Sequence, residues 1–348
     1  MHTASAAVRL AACKDDGVPS FCRHNRLIQN CPICSREQAI ELRPVVSSSA
    51  PRTSQPRPRS QSQSRARVTG QSSPGVRGGL KVRRLARGAD DGYSSPLLPG
   101  LRSSEDAERL AEELAFAAAR LQLLEFDPPG LYAEVANHRE DIEERSWLAF
   151  LIAYICPVDD EDDRFEFIGL VRTPWGLHEL PDLDGVRLGP RTAHDPARGV
   201  RTIEAYRAWA GRGGSQADAF TGDQGWTPER RFARTFERLA LPGLHRGARF
   251  DLLVTLGRLG AYELRAGALQ MGGDNEVTVA AKRALGIGDP MLLERRAADL
   301  AQACSLPLEA LDLGLYNWER GERAYLGVPS DTEPDPDVLA STRAALGL

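Results

Sequence analysis

The sequence predicts a mainly α-helical protein, in which a helical body follows a small N-terminal module and a disordered linker. Three observations support this prediction. Apolar residues recur at helical spacing over most of the chain after residue 102. Residues 44–93 are rich in Ser, Pro, Gln, Gly and Arg, and such a segment buries too little apolar surface to fold. Four of the six cysteines lie within the first 34 residues. The predicted parts are the module 13–43, the linker 44–101, the body 102–327 and a C-terminal tail 328–348.

The helices of the body are predicted in chain order from caps and apolar periodicity. Ser103 and Asp106 form a capping box, and the helix that they start ends at Asp127-Pro-Pro-Gly. Residues 165–171 show the one strand-like alternation, and the stretch that follows to residue 200 is irregular. No run of about 18 apolar residues is present, so no membrane partner is predicted. Further helices are predicted at 132–139, 142–156, 202–210, 228–239, 250–267, 277–285, 291–304 and 308–318.

Charge is divided unevenly along the chain. Residues 1–100 carry 16 Lys and Arg against 6 Asp and Glu, whereas the remainder carries 28 against 42. A basic arm on an acidic body indicates binding to a polyanion such as DNA, because cationic side chains release counterions from phosphates. A merely solubilising tail is the alternative. The N-terminus has no secretory pattern, so a cytoplasmic protein is predicted, associated with the nucleoid if it binds DNA.

A zinc-type motif lies in the N-terminal module. Cys22-Arg-His24 is followed by Cys31-Pro-Ile-Cys34, which places four N or S ligands within 13 residues. The sequence therefore predicts a structural Zn²⁺ bound by Cys22, His24, Cys31 and Cys34. Cys13 is the alternative ligand, in place of His24. All four positions are protein ligands, so the site has no open position for catalysis.

Metal content tests this zinc knuckle directly. A fragment of residues 1–45 is expected to hold one zinc per chain, and Cys31→Ser is expected to abolish binding, because a tetrahedral site with three ligands is incomplete. Metal analysis of the purified fragment measures both. A metal-free fragment would contradict the knuckle.

Motifs from Leu241 onward carry a resemblance to a known fold family. The segment LPGLHRGARFDLLVTLG is followed by MGGDNEVTVAAKRALGIGD. It resembles the helix-hairpin-helix DNA glycosylases, in which an LPGxG hairpin precedes an aspartate at a helix start. With GSQ at 214–216, RRF at 230–232 and LDLGLYNW at 311–318, it is most similar to the alpha-glutamyl/putrescinyl thymine pyrophosphorylases. The resemblance covers roughly residues 105–320 and implies a helix-hairpin-helix glycosylase-like domain.

The resemblance also implies roles for individual residues. Asp274 takes the position of the family's aspartate and Glu276 is the second candidate; for Asp274, a helix N-cap is the alternative role. His245 replaces the second glycine of the hairpin. Gly247 stands where bifunctional glycosylases carry their lysine, so no lyase chemistry is expected. The DNA- and substrate-binding candidates are His245, Arg246, Arg230, Arg231, Lys282, Trp226, Tyr316 and Trp318.

Five acidic residues in a row end the predicted helix 142–156. Carboxylates at Asp159–Asp163 could hold Mg²⁺ against a pyrophosphate, and a solvated acidic turn is the alternative. Trp226, Tyr316 and Trp318 could stack on an extruded base, or they could belong to the core.

Three functions remain open from the sequence. The first is a DNA-acting enzyme that modifies a thymine-derived base by transferring an amine or amino acid with displacement of pyrophosphate. The second is a monofunctional base-excision glycosylase. The third is a non-enzymatic, zinc-containing DNA-binding protein.

Overall fold

The computed structural model describes residues 88–348, and within this range the chain is helical and has no β-strand. The zinc ligands predicted at residues 22–34 and most of the predicted linker lie outside the described residues. Two short 3₁₀ turns lie at Trp175–Leu177 and Pro196–Arg198. The α-helices are α1 (Ser104–Phe126), α2 (Leu131–Ala136), α3 (Ile142–Ile155), α4 (Glu166–Val171), α5 (Arg201–Arg212), α6 (Gln216–Thr221), α7 (Pro228–Arg238), α8 (Arg246–Arg258), α9 (Glu276–Leu285), α10 (Pro290–Ala303), α11 (Leu308–Arg320) and α12 (Pro336–Leu346).

The core forms between α1 and α11 and between α3 and α8, which pack in pairs, with α9 and α12 added at the sides. Helix α3 is apolar around its circumference, and every residue from Arg145 to Ile155 is buried, as a helix of that composition requires. Ser103 caps α1 by accepting a hydrogen bond from the Asp106 amide, which confirms the predicted start.

The folded region begins earlier than the sequence predicted. The predicted linker ran to residue 101, but Leu98 and Leu101 are buried in the core. The Gly100 amide donates to the Ala284 carbonyl at 3.0 Å, and a Cβ at Gly100 would lie 2.0 Å from the Arg283 carbonyl oxygen. Composition could not show that a few apolar residues at the end of the predicted linker pack on the body.

The C-terminal tail 328–348 contains a helix that the sequence analysis missed. Asp335 caps α12 through the Asp337 and Val338 amides, and Pro336 occupies its first position. Leu346 is buried, and its carbonyl accepts from the Tyr93 hydroxyl at 2.8 Å. The end of the tail therefore contacts the segment before α1.

Two predicted elements were wrong. The segment 165–171 contains the short helix α4, with Phe165 as its N-cap, rather than a strand, and Phe165 and Ile168, about one helical turn apart, are its buried residues. The helix predicted to run to residue 267 ends at Arg258, and the chain then folds back, so that a Cβ at Gly257 would lie 2.3 Å from the Leu264 carbonyl oxygen.

Side chains of the acidic run 159–163 are bonded to other groups of the fold, two of them to one arginine. Asp160 pairs with Arg187 at 2.8 Å, Glu161 pairs with the same guanidinium, and Asp163 accepts from the Phe165 amide. Among residues 88–348, no group of three His, Cys, Asp or Glu side chains is placed to hold a metal ion. This arrangement favours the acidic turn over the Mg²⁺ interpretation.

Asp159 gives a testable pH dependence of stability. Burial raises the pKa of Asp159 to about 6, and one of its carboxylate oxygens has no hydrogen-bond partner. A raised carboxyl pKa favours the folded state below the unfolded pKa, and this contribution is lost as the pH rises through about 6. Asp159→Asn is therefore expected to raise the free energy of unfolding by about 2 kcal/mol at pH 8 and to have little effect near pH 4.

Urea unfolding at the two pH values measures the effect of Asp159→Asn. Asp160→Asn is the matched control, because its ion pair with Arg187 is exposed and contributes roughly 0–1 kcal/mol. A loss of stability in Asp159→Asn at pH 8 would contradict the cost assigned to the buried carboxylate.

Candidate functional site

The turn between α7 and α8 places the start of α8. Gly243 has φ +84°, and a Cβ there would lie 2.2 Å from Thr202 Oγ1. Only glycine meets both conditions without displacing the neighbouring helix. The Thr202 hydroxyl in turn donates to the Pro242 carbonyl at 2.9 Å and fixes the turn against α5.

His245 acts as the N-cap of α8. Its Nδ1 accepts from the Ala248 amide at 3.2 Å, and its Nε2 lies 2.9 Å from the Thr192 carbonyl oxygen. These partners require a neutral imidazole with its proton on Nε2. His245 therefore joins the start of α8 to the loop around Thr192.

The start of α9 separates the two acidic candidates. Asn275 is the N-cap, since its side chain accepts from the Thr278 amide at 3.1 Å. The Asp274 side chain is 98% exposed, and its nearest cation is the Lys282 Nζ at 4.0 Å. Glu276, the first residue of α9, lines a pocket instead. Of the two, Glu276 is the carboxylate beside a cavity.

This pocket has a volume of about 350 Å³. One wall is the loop of Pro190 and Thr192, and the others are the first residues of α8 and α9. The N-termini of two helices meet there, and their first amides have no partner within the helix. Both helix dipoles favour a negative charge in the pocket. The lining residues are Pro190, Arg191, Thr192, His245, Arg246, Gly247, Asn275, Glu276, Val277 and Tyr316.

A buried cluster of four charged side chains adjoins the pocket. Asp312 of α11 accepts from Arg191 Nη2 at 2.8 Å and, with its other oxygen, from Arg246 Nη1. Arg246 also donates to the Leu269 carbonyl. Arg191 Nη1 lies 3.3 Å from Asp251, without hydrogen-bond geometry. Three separate parts of the chain meet through one carboxylate.

The two acidic members of the cluster differ in protonation. Burial raises the pKa of Asp251, although Arg191 opposes it. Burial acts on Asp312 in the same direction, but Arg246 and Arg191 outweigh it and hold the pKa of Asp312 below its usual range. Asp312 is therefore the firmly ionised partner of the two arginines, and protonation of Asp251 at low pH leaves the cluster net positive.

Arg191 occupies the space beside Gly247. A Cβ at Gly247 would lie 3.1 Å from Arg191 Nη2, so a side chain there would compete with the guanidinium. The resemblance implies that Gly247 stands in place of a lysine. In the structure, the guanidinium of Arg191, from another part of the chain, lies beside this position.

The three aromatic candidates lie in different environments. Tyr316 lines the pocket; Arg191 lies 4.6 Å from its ring centroid, and its hydroxyl donates to the Pro190 carbonyl at 2.8 Å. Burial raises the pKa of Tyr316 to about 12, so this donor stays protonated. Trp318 is buried in the core, with Nε1 donating to the Asp106 carbonyl. Trp226 is half-buried against Arg230 and Arg238 and does not line the pocket.

The basic candidate residues also lie in different environments. Arg231 is buried and donates to the Thr221 and Glu263 carbonyls, so it holds the α6–α7 region rather than facing a phosphate. Arg230 is exposed and Lys282 is half-buried, and neither lines the pocket. Arg246 lines the pocket.

The site residues predicted from the sequence did not include Arg191, Asp251 or Asp312. Asp312 had a recognisable signal, because it interrupts the apolar run Leu311–Leu315 of a helix that reads as core. Arg191 had none, since it lies in an irregular segment.

No protein-family model, curated protein or solved structure matches this chain. Between residues 88 and 348, no helix is both long and apolar enough to cross a membrane.

Proposed function

We propose that this protein is a DNA-acting enzyme that modifies a thymine-derived base, transferring an amine or amino acid to it with displacement of pyrophosphate. One observation carries the proposal. Three of the segments that line the pocket carry motifs of the family resemblance, namely the turn before α8, the start of α9 and the LDLGLYNW helix α11; the loop of Pro190 and Thr192 completes the lining.

The chemistry of the pocket supports this reaction class. An amine attacks the methylene carbon of the modified base, a C–N bond forms, and the C–O bond to pyrophosphate breaks. Glu276 is the proposed base that takes the amine proton, because it is the one acidic residue among those that line the pocket. The helix N-termini and the neighbouring Arg246 favour the departing pyrophosphate. A volume of about 350 Å³ is at the lower end of the range for small-molecule pockets and suits one nucleobase.

DNA engagement has two sources in this proposal. The region 101–348 carries 28 basic and 42 acidic side chains, so its non-specific affinity for DNA is expected to be weak. The basic residues of 1–100 and the predicted zinc knuckle are proposed to supply the rest. DNA is accordingly the proposed partner and Zn²⁺ the proposed structural metal.

Nucleoside mass analysis tests the function. The full chain is incubated with single- and double-stranded DNA containing hydroxymethylated or pyrophosphorylated thymine, with glutamate or putrescine as the amine donor. The expected result is release of pyrophosphate from the pyrophosphorylated base and its replacement by the amine donor, read as the mass of that adduct on an intact strand. The hydroxymethylated base has no pyrophosphate leaving group and is expected to stay unchanged. Abasic sites would establish the excision alternative. DNA binding with unaltered bases under all conditions would leave the non-enzymatic binding protein.

A further inference from the structure

We propose that Asp312 is a positioning residue, which locks Arg191 and Arg246 in one fixed arrangement beneath the pocket and joins the loop 189–194 to the start of α8. This inference rests on the proposed function for the use of the pocket, but the arrangement itself can be tested without any substrate.

Asp312 connects α11 to two other parts of the fold. Its two oxygens bind two arginines from parts of the chain that are 55 residues apart, Arg191 in an irregular loop and Arg246 at the first turn of α8. Its side chain is 1% exposed, so water does not compete for either bond. No other carboxylate of the described residues is bonded to both arginines.

Asp312 and Tyr316 act on the same loop from one face of α11. These residues lie four positions apart on α11 and share one face. Tyr316 packs against the Arg191 guanidinium and donates to the Pro190 carbonyl, so the same helix face holds the loop at two points. Thr192 of that loop is in turn bonded to His245. The pocket wall is thus tied to α11 through side chains rather than through secondary structure.

The small contribution of buried ion pairs to stability also favours a positioning role. Buried ion pairs contribute little to net stability, because desolvation offsets most of their attraction, and well-packed apolar side chains often serve equally well. A four-charge cluster next to a pocket is more useful as a preorganised electrostatic environment, in which cations are already oriented before an anion arrives. Arg191 has no freedom to adjust, since Asp312, Asp251 and Tyr316 surround it.

Hydrogen exchange of the full chain, read by mass spectrometry, tests the positioning role without a ligand. Asp312→Asn is expected to raise exchange in residues 189–194 and 245–249 by about tenfold or more, and Asp312→Glu to restore part of the protection. Glu113→Gln is the matched control. Glu113 of α1 makes a similar set of bonds, to Arg323 and to Asn317 of α11, and does not line the pocket. This control should leave both segments protected.

Pyrophosphate affinity, measured by calorimetry, separates positioning from simple attraction. Asp312→Asn removes a negative charge near the pocket, so attraction alone predicts tighter binding. Positioning predicts the opposite, a loss of about tenfold or more, because the guanidiniums no longer hold one geometry. If Asp312→Asn does not fold, Tyr316→Phe tests the same wall by removing the bond to Pro190, with loosening expected in 189–194 alone.

Unchanged protection of both segments in Asp312→Asn, or unchanged protection of 189–194 in Tyr316→Phe, would overturn the proposal. So would pyrophosphate binding to Asp312→Asn that equals or exceeds that of the native chain. Absence of pyrophosphate binding by the native chain would count against the proposed function instead, and the exchange result would then decide the role of Asp312 alone.

Discussion

Glu276→Gln is expected to lower turnover on modified-thymine DNA by about 10²–10⁴-fold, the range associated with loss of a general base. The amide has nearly the shape of the carboxylate but cannot accept the amine proton. Glu276 is an exposed residue at the start of α9, and it makes no ion pair within residues 88–348. The fold and the DNA affinity of Glu276→Gln are therefore expected to be unchanged. Single-turnover kinetics with excess enzyme isolates the chemical step from product release.

Asp274→Asn is the matched control for this prediction. Both residues are acidic, exposed and two positions apart, but Asp274 projects into solvent near Lys282 and does not line the pocket. Its amide variant is expected to turn over at close to the native rate. The reverse result, with Asp274→Asn inactive and Glu276→Gln active, would restore the role that the family resemblance implies for Asp274 and would contradict the pocket as described.

Trp318→Ala is expected to lower the free energy of unfolding by about 3–5 kcal/mol, the range for large-to-small changes of buried aromatic residues. Trp318 is 2% exposed, and its indole N–H donates to the Asp106 carbonyl at 2.9 Å. The substitution leaves a cavity between α1 and α11 and removes a buried hydrogen bond. Denaturant unfolding followed by far-UV circular dichroism measures the change.

Tyr316→Phe gives the contrasting result for the other aromatic candidate on α11. It removes one hydroxyl but leaves the ring against Arg191, so the loss of stability is expected to be about 1 kcal/mol. Equal losses of stability in Trp318→Ala and Tyr316→Phe would contradict the division of these residues between core and pocket wall.

Local signals in the sequence were sufficient for most helices. The Ser103 cap and the apolar circumference of α3 each determined an element correctly, because capping and burial depend on residues close in sequence. The helix after Leu244 was predicted at 250–267 but spans Arg246–Arg258, since its end is set by contact with Leu264 and not by periodicity. The alternation in 165–171 was misleading because burial of Phe165 and Ile168 determines the structure of so short a segment.

The pocket could be predicted only in part. The turn motif and the LDLGLYNW motif identified His245, Arg246 and Tyr316, and all three line it. The sequence could not bring Arg191 to Gly247 or join Arg191 to Asp312, because these contacts span 56 and 121 residues and depend on how an irregular loop packs. It ranked Asp274 above Glu276, whereas Glu276 lines the pocket and Asp274, which precedes the N-cap Asn275, does not.

A crystal structure of Glu276→Gln bound to an oligonucleotide with one modified thymine tests the central claim most directly. The account predicts that the base is extruded from its stack and lies in the pocket against Tyr316, with the substituted amide at position 276 within hydrogen-bond distance of the reacting group. DNA bound elsewhere on the protein, or a target base that remains stacked while this pocket stays empty, would contradict it.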